Sequence, residues 1–408
     1  MNCKKTWTSK RLLEVIDFNP KETLRKGQRA KKIAMEQLRP FSKTPMGYCE
    51  EFYNGGAKFK NGDTLLARIT PCLENGKTAQ VNELDEGEVG FGSTEYIVLR
   101  AKEGKSDKDF IYYLSISPNF RSIAIKSMVG SSGRQRVQQN VLENAEFLLP
   151  DLKTQKKISA VLGSLDNKIE LNEKINQNLE AQAQAIFKSW FVDFEPFGGK
   201  MPAGWGQGCL SDVLSVIESG SRPKGGSESS GVPSIGAENI DGIGHYDYSK
   251  EKYINRDFFQ NLRHGKVNSG DILLYKDGAY VGKVSMALNG FPHEICAVNE
   301  HVFILRTNER LPSQSYLYLF LAQHSIRNKI ATLGSAKAAQ PGVNQSDIKG
   351  IALTIPNKRT IQAFENIASS LFSKIVQNSI QSRRLSQLRD TLLPKLMSGE
   401  IDVSDVAV

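Results

Sequence analysis

The sequence has few cysteines, and it has no apolar run long enough to cross a membrane. Its five cysteines, at positions 3, 49, 72, 209 and 296, include no CxxC pair, which argues against a disulfide framework and against a zinc site. No apolar stretch approaches the roughly 20 residues that a membrane helix needs. The basic N-terminus lacks the apolar core of a signal peptide. We therefore expect a cytoplasmic protein.

The sequence also lacks the motifs of a self-contained enzyme. It contains no Pro-Pro, which the Asn/Asp-Pro-Pro-aromatic loop of an adenine methyltransferase requires, no GxxxxGK[ST] phosphate loop and no HExxH metal motif. The five histidines all lie in the second half without metal-ligand spacing, so we expect structural or surface roles for them. We predict no catalytic residue, no bound metal and no cofactor in this chain.

One pattern looks like a metal-dependent nuclease motif: PD (150–151) is followed by DNK (166–168). That chemistry needs two carboxylates that hold a divalent ion at a sheet edge, with a lysine beside the attacking water. Asp166, however, falls inside a long helical pattern. The second copy of the repeat described below has Asn357 and Phe372 in place of the two aspartates. We therefore interpret Asp166 as part of a solvated helix face.

Length and charge indicate a multidomain protein with a polyanionic partner. The chain has 408 residues, enough for two or three domains, and hydrophobic residues make up 39% of it. Lysine and arginine outnumber aspartate and glutamate by 53 to 44, which gives a formal net charge of +9. A basic chain of this kind favours nucleic acid as its partner.

The chain contains an internal repeat. The matching segments are NGDTLLARIT (61–70) with SGDILLYKDG (269–278), TEYIVLR (94–100) with EHVFILR (300–306), and ENAEFLLP (143–150) with IKGIALTIP (348–356). They occur in the same order, after a match of Trp7 with Trp205 at an offset of 198 residues. The offset reaches 208 at the Gly-Asp segment, a drift that small loop insertions would produce. Each copy has short β-like runs and glycine-rich turns, followed by a helical segment.

The helical segments have an apolar seam with coiled-coil spacing. The first seam comprises Leu165, Ile169, Asn172, Asn176, Leu179, Ala183, Ile186 and Trp190. The second comprises Leu371, Ile375, Asn378, Ser382, Leu385, Arg389, Leu392 and Leu396. Asn172 and Asn378 fall at equivalent positions, and a buried asparagine in a heptad fixes register at some cost in stability. We predict that these two residues set the register of the helix pair.

The predicted fold class is α+β: two mixed α/β domains joined by two long antiparallel coiled-coil helices, with a pseudo-twofold internal repeat and a dumbbell shape. The predicted limits are 1–150 and 198–356 for the globular domains, and 151–197 and 357–408 for the helical segments. The segment AIFKSWFVDFEPF (185–197) is predicted to end the first helix beside residues 364–372. The predicted helix/domain junction consists of Phe187, Trp190, Phe191 and Phe194.

Basic, polar and glycine-rich loops recur at equivalent places in the two copies and suit DNA. Glycine lets the backbone approach phosphates, lysine, serine and threonine contact phosphates, and arginine, glutamine and asparagine read base edges. The alternative for each loop is a purely structural turn. The predicted DNA-binding residues are Lys26, Arg29, Lys31, Arg68, Thr70, Lys77, Ser131, Arg134, Gln135, Arg136, Ser221, Arg222, Lys224, Lys276, Tyr280, Lys283, Lys337 and Gln340.

As an ordered set, these features resemble the specificity subunit of type I restriction–modification enzymes. The Gly-Asp strand-turns GDTLLARIT and GDILLYKDG resemble those of the family's target-recognition domains. QAIFKSWFVDFEPF resembles the end of the central helix, MPAGWGQGCLSDVL (201–214) the entry to the second recognition domain, and LRDTLLPKLMSGEIDV (388–403) the C-terminal helix end. One departure is that RITPCLENGK lacks the early glycine of YKDGAYVGK, so contacts do not carry over between these two loops.

The resemblance implies a specific role. Each recognition domain would bind one half of a split, asymmetric sequence in double-stranded DNA, and the helix pair would act as a ruler for the gap. The subunit would have no catalysis of its own. It would recruit two methylation subunits, which use S-adenosylmethionine to make N6-methyladenine, and through them restriction subunits that use ATP and Mg²⁺.

Three other functions remain open from the residues alone. The chain could be a stand-alone DNA-binding regulator of the same architecture, an autonomous nuclease or methyltransferase, or a protein–protein scaffold. A stand-alone binder has no need for an apolar outer helix face, whereas a methylation subunit must dock on the chain somewhere.

Overall fold

The computed structural model describes residues 7–335 and 342–407. The chain divides into two compact units: the first comprises the chain up to Ile169 and again from Arg384 onward, and the second comprises Glu170–Arg383. Each unit contains sheets, short helices and part of each of two long helices. This is the predicted α+β architecture of two mixed domains with long helices, although each compact unit includes portions of both helices.

The first unit contains strands β1 (Thr8–Arg11), β2 (Ile16–Phe18), β3 (Arg29–Ile33), β4 (Cys49–Phe52), β5 (Lys58–Phe59), β6 (Thr64–Ala67), β7 (Thr78–Gln80), β8 (Gly90–Gly92), β9 (Tyr96–Ala101) and β10 (Glu146–Leu149). Its short helices are α1 (Leu12–Val15), α2 (Lys108–Ile116), α3 (Pro118–Lys126) and α4 (Gln139–Asn144), and the long helix α5 (Leu152–Phe191) begins in it.

The second unit contains strands β11 (Gly206–Cys209), β12 (Leu214–Ser219), β13 (Val232–Ile235), β14 (Lys252–Ile254), β15 (Ile272–Tyr275), β16 (Val284–Met286), β17 (Ala297–Val298), β18 (Val302–Thr307) and β19 (Ala352–Ile355). Its helices are α6 (Leu210–Val213), α7 (Arg256–Asn261), α8 (Gln314–Ala322), α9 (His324–Ser335) and α10 (Gln345–Lys349), and the long helix α11 (Lys358–Met397) begins in it.

The two units share one sheet topology. The first unit has a four-stranded sheet β2-β9-β6-β7, a second sheet β4-β3-β8-β5 and a ribbon β1-β10. The second unit has the corresponding sheet β12-β18-β15-β16, a second sheet β14-β13-β17 and a ribbon β11-β19. The register matches as well, since Leu65 pairs with Val98 and Leu273 pairs with Ile304. The repeat predicted from the sequence is therefore present in the fold.

The central strands are apolar on both faces because both faces are covered. Leu66 and Ile97 pack against the buried side chains of α2, such as Phe110. Their neighbours Leu65 and Val98 point the other way and pack against the second sheet. Alternate residues of a strand point to opposite faces, so the side chains of a run such as DTLLARI pack into two cores. For this reason the run is apolar at successive positions instead of alternating.

Within the second unit, α5 and α11 pack antiparallel. The Asn172 side-chain amide donates to Gln381 Oε1 at 2.9 Å and to Ser382 Oγ at 3.1 Å. The Asn176 amide donates to Ser379 Oγ at 3.1 Å. As the residue number rises along α5, the partner's number falls along α11, which is the antiparallel order predicted from the sequence.

Within the first unit, the same two helices are joined by a buried ion pair. Arg389 Nη1 donates to Asp166 Oδ1 at 2.8 Å, and the Tyr113 hydroxyl donates to Asp166 Oδ2 at 2.6 Å. Asp166 is 6% exposed and Arg389 is 4% exposed. The interpretation of Asp166 as part of a solvated helix face is therefore wrong. The other aspartate of the nuclease-like pattern, Asp151, accepts the Thr154 N–H at 2.8 Å at the start of α5.

The buried face of α5 is displaced by one residue from the predicted seam near the helix end. Phe187 and Phe191 are buried, whereas Ile186 and Trp190 are only partly buried. On α11 a similar shift buries Phe372. Toward their ends the helices pack against globular parts of the units as well as against each other. The buried face of a straight helix with 3.6 residues per turn rotates away from a strict heptad seam. Contacts with the globular parts of the units do not require the heptad spacing, so the buried face can shift by one residue.

The aromatic segment after the middle of the chain lies where the second helix begins. The Phe191 ring centroid lies 4.9 Å from that of Phe364, 4.8 Å from Tyr316 and 5.7 Å from Trp205. Helix α5 ends at Phe191, and Phe194 adopts the left-handed conformation with φ of 55°. The chain therefore leaves the helix just before Glu195-Pro196, where the sequence predicted its end. Among the described residues, no helix combines the length and apolarity that crossing a bilayer requires.

Candidate nucleic-acid interface

A set of backbone hydrogen bonds in the first unit joins two loops that carry predicted DNA contacts. Arg68, directly after β6, donates its N–H to the Glu95 carbonyl at 2.9 Å and accepts the Val137 N–H at 2.9 Å. The Thr70 N–H donates to the Gln135 carbonyl at 3.0 Å. We call this arrangement of Arg68, Glu95 and Val137 the first frame. It places the loop after β6 beside the loop before α4.

The second unit has the same arrangement, which we call the second frame. Lys276, directly after β15, donates its N–H to the His301 carbonyl at 3.0 Å and accepts the Val343 N–H at 2.8 Å. Asp277 and Gly342 form an isolated bridge, as Ile69 and Arg136 do in the first frame. The backbone thus repeats while the side chains differ.

The first frame presents a polar loop tip that an ion pair holds in place. Arg136 binds Glu95 through Nε to Oε2 at 3.0 Å and through Nη2 to Oε1 at 2.7 Å. The guanidinium lowers the pKa of the Glu95 carboxyl. Arg136 Nη1 also donates to the Arg134 carbonyl at 3.3 Å. Arg134 and Ser131 are exposed, so the pair supports a loop whose tip is free to contact a ligand.

The other predicted contacts of the first frame are partly buried. Arg68 Nη2 donates to the Val137 carbonyl at 3.4 Å, and the Lys77 ammonium donates to the Met35 carbonyl at 2.8 Å. Arg68 Nε and Thr70 Oγ1 have no hydrogen-bond partner among the described residues. These side chains lie in the frame itself, beneath the exposed tip.

The second frame holds a chain of polar contacts that begins with the ion pair of Arg222 and Glu300. Arg222 Nε lies 2.9 Å from Glu300 Oε1, which lies 3.2 Å from His301 Nε2. His301 Nδ1 lies 2.9 Å from Asp277 Oδ2. Lys224 is exposed in the same glycine-rich loop as Arg222, and so is Ser221. The loop that follows β12 is thereby attached to the second frame.

The loop after β15 contributes the remaining predicted contacts of the second unit. The Lys276 ammonium lies 4.9 Å from the Phe303 ring centroid. The Lys283 ammonium lies 4.8 Å from the Tyr280 ring centroid and 3.3 Å from Asp241 Oδ1. Tyr280 is 52% exposed. Tyr280 is therefore exposed beside the second frame, whereas Lys276 and Lys283 are partly buried and in contact with neighbouring side chains.

The structure does not bring the basic segment 25–32 to the first frame. The frame lies near the end of β3 that Ile33 occupies, since Lys77 bonds the Met35 carbonyl, and Arg29 begins that strand about 13 Å away. Arg29 pairs with Glu50, and Lys26 is exposed in the preceding turn.

Lys31 is largely buried and is paired with two carboxylates. It is 9% exposed, and its ammonium lies 2.9 Å from Asp85 and 3.0 Å from Glu88. Hydrogen bonds to these carboxylates raise the pKa of Lys31, and they occupy the charge that was predicted to meet a phosphate. Two further predicted contacts, Lys337 and Gln340, lie outside the described residues.

Sequence reasoning missed the two acids that bond predicted DNA-binding arginines, Glu95 in the first frame and Glu300 beside the second. Glu95 and Glu300 both lie in segments that repeat, TEYIVLR and EHVFILR, but these segments were interpreted only as strands. The turn that precedes the central strand carries a carboxylate bonded to a predicted DNA-binding arginine in each unit. The available signal was an acidic residue in the turn just before the apolar run of each copy, although the two acids are one residue apart in the alignment.

The repeated Gly-Asp motif has a structural role. Arg100 donates two hydrogen bonds to the Asp63 carboxylate, from Nε to Oδ1 and from Nη2 to Oδ2, both at 2.7 Å. Asp271 and Arg306 repeat this at 2.6 and 2.7 Å. The aspartates are 1% and 2% exposed. The motif therefore anchors β6 to β9 and β15 to β18, and so positions the loop that follows.

The helix pair contains the two asparagines predicted to set its register. Asn172 is 0% exposed and Asn378 is 4% exposed. Besides its bonds to Gln381 and Ser382, the Asn172 amide approaches the Asn378 carbonyl at 3.3 Å, and the Asn378 amide donates to Asn176 Oδ1 at 2.9 Å. The polar groups therefore meet across the helices at one level.

A metal-binding arrangement does not occur within residues 7–335 and 342–407, where no three His, Cys, Asp or Glu side chains are grouped to hold an ion. Beside the partly exposed carboxylates Glu95 and Glu300, the loops of both frames carry exposed basic and hydroxyl groups on glycine-containing segments. Such groups bind phosphates and base edges by hydrogen bonds.

Comparisons with known proteins agree with this chemistry. The family model described as "Type I restriction modification DNA specificity domain" matches residues 4–181 and again 202–389. The HindI specificity subunit of Haemophilus influenzae, from a type I restriction enzyme, is 28% identical over 84% of this chain and 87% of its own length. The MjaIX specificity subunit of Methanocaldococcus jannaschii is 27% identical over 73% and 70%. The solved S subunit of a type I system from M. genitalium shares the fold, with a TM-score of 0.56, 16% identity and 96% of each chain covered.

Proposed function

The chain belongs to the family of type I restriction modification DNA specificity proteins, and from this membership we propose how it acts as the sequence-specificity subunit of such a complex. Each unit binds one half of a bipartite, asymmetric site in double-stranded DNA. The first frame presents the loops that read one half, and the second frame presents those that read the other. Helices α5 and α11 set the spacing of the halves and dock the methylation subunits.

The observation that carries the proposal is that both units have the same backbone frame but present different side chains on it. The hydrogen bonds of Arg68 recur at Lys276, so both units hold their loops in the same way. The exposed groups differ: the first frame offers Arg134 and Ser131, whereas the second offers Arg222 and Lys224. A shared scaffold with different contact groups is what a protein needs to read two unlike half-sites.

The contact groups suit the chemistry of duplex DNA. Lysine and serine bind phosphate oxygens and fix orientation, whereas arginine binds the O6 and N7 atoms of guanine through its planar fork. Glutamine can bind adenine in a similar two-point manner. We assign Arg134, Gln135 and Arg222 to base reading, and Ser131, Ser221 and Lys224 to phosphates.

In this account the chain supplies recognition and its partners supply chemistry. Two methylation subunits use S-adenosylmethionine to methylate adenine at N6, and restriction subunits that join through them use ATP and Mg²⁺ to cleave DNA. The chain itself requires no cofactor and acts in the cytoplasm, where chromosomal DNA is accessible.

Co-expression with a methylation subunit tests the proposal. We expect a stable complex, and methylation-aware sequencing of the host DNA should show N6-methyladenine at a split motif with an unread gap of constant length. A chain that never forms such a complex, or a host whose adenine methylation does not change, would contradict the proposal.

Assays on the chain alone separate the alternatives. Turnover of DNA with Mg²⁺ and S-adenosylmethionine would indicate an autonomous enzyme. A failure to bind duplex DNA at low salt, where phosphate contacts are strongest, would favour a scaffold. Tight, specific DNA binding without any methylation partner would favour a stand-alone regulator.

A further inference from the structure

In both units a carboxylate is bonded to an arginine that was predicted to touch DNA. Glu95 accepts three close contacts from Arg136, and Glu300 lies 2.9 Å from Arg222. Both acids lie in the turn before the central strand, one residue apart in the alignment of the repeat. The two arginines come from different loops, so the same kind of pair is built twice from different segments.

These pairs are accessible to a ligand. The side chains of Arg136 and Arg222 are 42% and 58% exposed, and those of Glu95 and Glu300 are 24% and 31% exposed. The acid is the more buried member each time, and the arginine is the more exposed one. Each arginine is therefore open to a ligand while its charge is opposed by a carboxylate.

A negative charge on a DNA-binding surface needs a reason, because it repels phosphates. A free arginine makes a phosphate contact on any sequence, and each such contact strengthens non-specific binding and its dependence on salt. An arginine held by a carboxylate has lost that attraction, and its fork is already fixed in one orientation. It then gains most from a partner that matches this orientation, such as the edge of a guanine.

The turn of the second frame carries further polar groups beside the same pair. His301 Nε2 lies 3.2 Å from Glu300 Oε1, and His301 Nδ1 lies 2.9 Å from Asp277 Oδ2. In the first frame Arg68 lies close enough to Glu95 to help lower the pKa of that carboxyl. Arg68 thus adds to the electrostatic stabilisation of the Glu95 carboxylate, and His301 lies beside the Glu300 carboxylate.

We propose that Glu95 and Glu300 are specificity-determining residues: each holds its arginine away from phosphates and presents it to base edges of one half-site. The inference rests on the proposed function and deepens it. The acids are positioning residues that act through Arg136 and Arg222, and they need not touch DNA themselves.

The test uses the complex of the full chain with its methylation subunits and the motif found by sequencing. Binding to a duplex that carries the motif, and to one with a scrambled motif, is measured over a range of salt for wild type, Glu95→Gln and Glu300→Gln. We expect each variant to bind scrambled DNA about three- to tenfold more tightly at low salt. The slope of log affinity against log salt should steepen by about one, as one added phosphate contact predicts.

Base preference should change at one half-site only. Glu95→Gln should relax the half read by the first unit, and Glu300→Gln the half read by the second. The control Glu14→Gln also removes one acid paired with an arginine, Arg11, but on α1 and outside both frames. It should leave the ratio of specific to non-specific binding unchanged.

Each outcome decides between roles. A variant with unchanged salt slope and unchanged specificity ratio would overturn the inference while leaving the proposed function intact. Equal weakening on both duplexes at an unchanged slope would also overturn it, because that is the effect of a merely structural residue. If the wild-type complex itself does not distinguish the two duplexes, the proposed function fails and the inference fails with it.

Discussion

At the scale of single residues, the most informative groups are buried charges that differ between the two units. Asp166 and Arg389 form an ion pair in the first unit, and the Tyr113 hydroxyl donates a hydrogen bond to Asp166. The equivalent residues of the second unit are Phe372, Ala183 and Leu319, all of which are buried in an apolar cluster. The same position of the repeated fold is thus filled by an ion pair in the first unit and by apolar side chains in the second.

This difference predicts the cost of breaking the pair. Arg389→Ala leaves Asp166 buried without its charge partner, and we expect it to lower the free energy of unfolding by about 3–5 kcal/mol. The triple variant Tyr113→Leu/Asp166→Phe/Arg389→Ala, which copies the second unit, should recover most of that loss. Denaturant unfolding measures both. A triple variant no more stable than the single one would show that the pair is needed for more than charge balance.

A buried histidine predicts how stability depends on pH. Burial beside Tyr246 and Tyr248 lowers the pKa of His293, an effect that outweighs the nearby Glu251 carboxylate. Below the ordinary histidine pKa of about 6.5, the unfolded chain therefore takes up a proton before the folded chain does. Stability should be fully present above that pH and should fall as the pH drops toward the lowered value.

Unfolding of His293→Gln at a series of pH values checks this. The variant should lose part of the decrease in stability seen between about pH 6.5 and pH 5. His324→Gln, at an exposed position on α9, is the matched control and should keep the wild-type dependence. Identical curves for wild type and His293→Gln would exclude His293 as the source.

At the scale of elements, the long helices combine an apolar seam with polar residues at one level. Asn172 and Asn378 are buried and bonded to groups on the opposite helix. A shift of one helix by a turn would leave these amides without partners, and an unpaired buried polar group costs about 1–3 kcal/mol. The bonds therefore favour a single register.

Replacing the asparagines tests that role. Asn172→Leu and Asn378→Leu should leave the fold intact and change the unfolding midpoint little, because the gain of an apolar seam residue offsets the cost of the buried partners left unpaired. The methylation complex should then accept sites with altered gap length. This is measured with a set of plasmids whose half-sites differ in spacing. Unchanged gap preference in both variants would contradict the role in register.

The aromatic segment AIFKSWFVDFEPF joins α5 to the start of α11 and to the globular part of the second unit. Phe191 is 5% exposed and has five aromatic neighbours, whereas Trp190 is only partly buried. We expect Phe191→Ala to destabilise the second unit by about 3–5 kcal/mol, and Trp190→Ala by less. Denaturant titrations of the two variants give the order. A larger loss for Trp190→Ala would contradict the observed placement of the seam.

At the scale of the whole molecule, the repeat made most of the fold predictable. Two copies of a Gly-Asp strand, an apolar central strand and a heptad helix indicated two similar α+β domains and two long helices, and the sheets agree in order and register. Some of the loops in which glycine and basic residues recur lie beside the frames, such as those of Arg68 and Lys276, whereas the basic segment 25–32 does not. The local sequence pattern was sufficient to predict a helix or strand wherever the structure of that element depends on its own residues.

Long-range pairing was not predictable in the same way. Asp166 and Arg389 are 223 residues apart, and a charged residue beside a seam resembles any surface residue until its partner is known. Glu95 looked like the start of a strand, although it holds Arg136. Lys31 looked like a phosphate contact because the two acids that neutralise it, Asp85 and Glu88, lie in another loop.

The central claim is that each unit reads its own half of one DNA site. The most direct test is methylation-aware sequencing of cells that carry the chain with its methylation subunits, compared with the variants Arg134→Ala and Arg222→Ala. We predict a bipartite adenine-methylation motif in which Arg134→Ala relaxes one half and Arg222→Ala relaxes only the other. A continuous motif, or two variants that change the same half, would contradict the account.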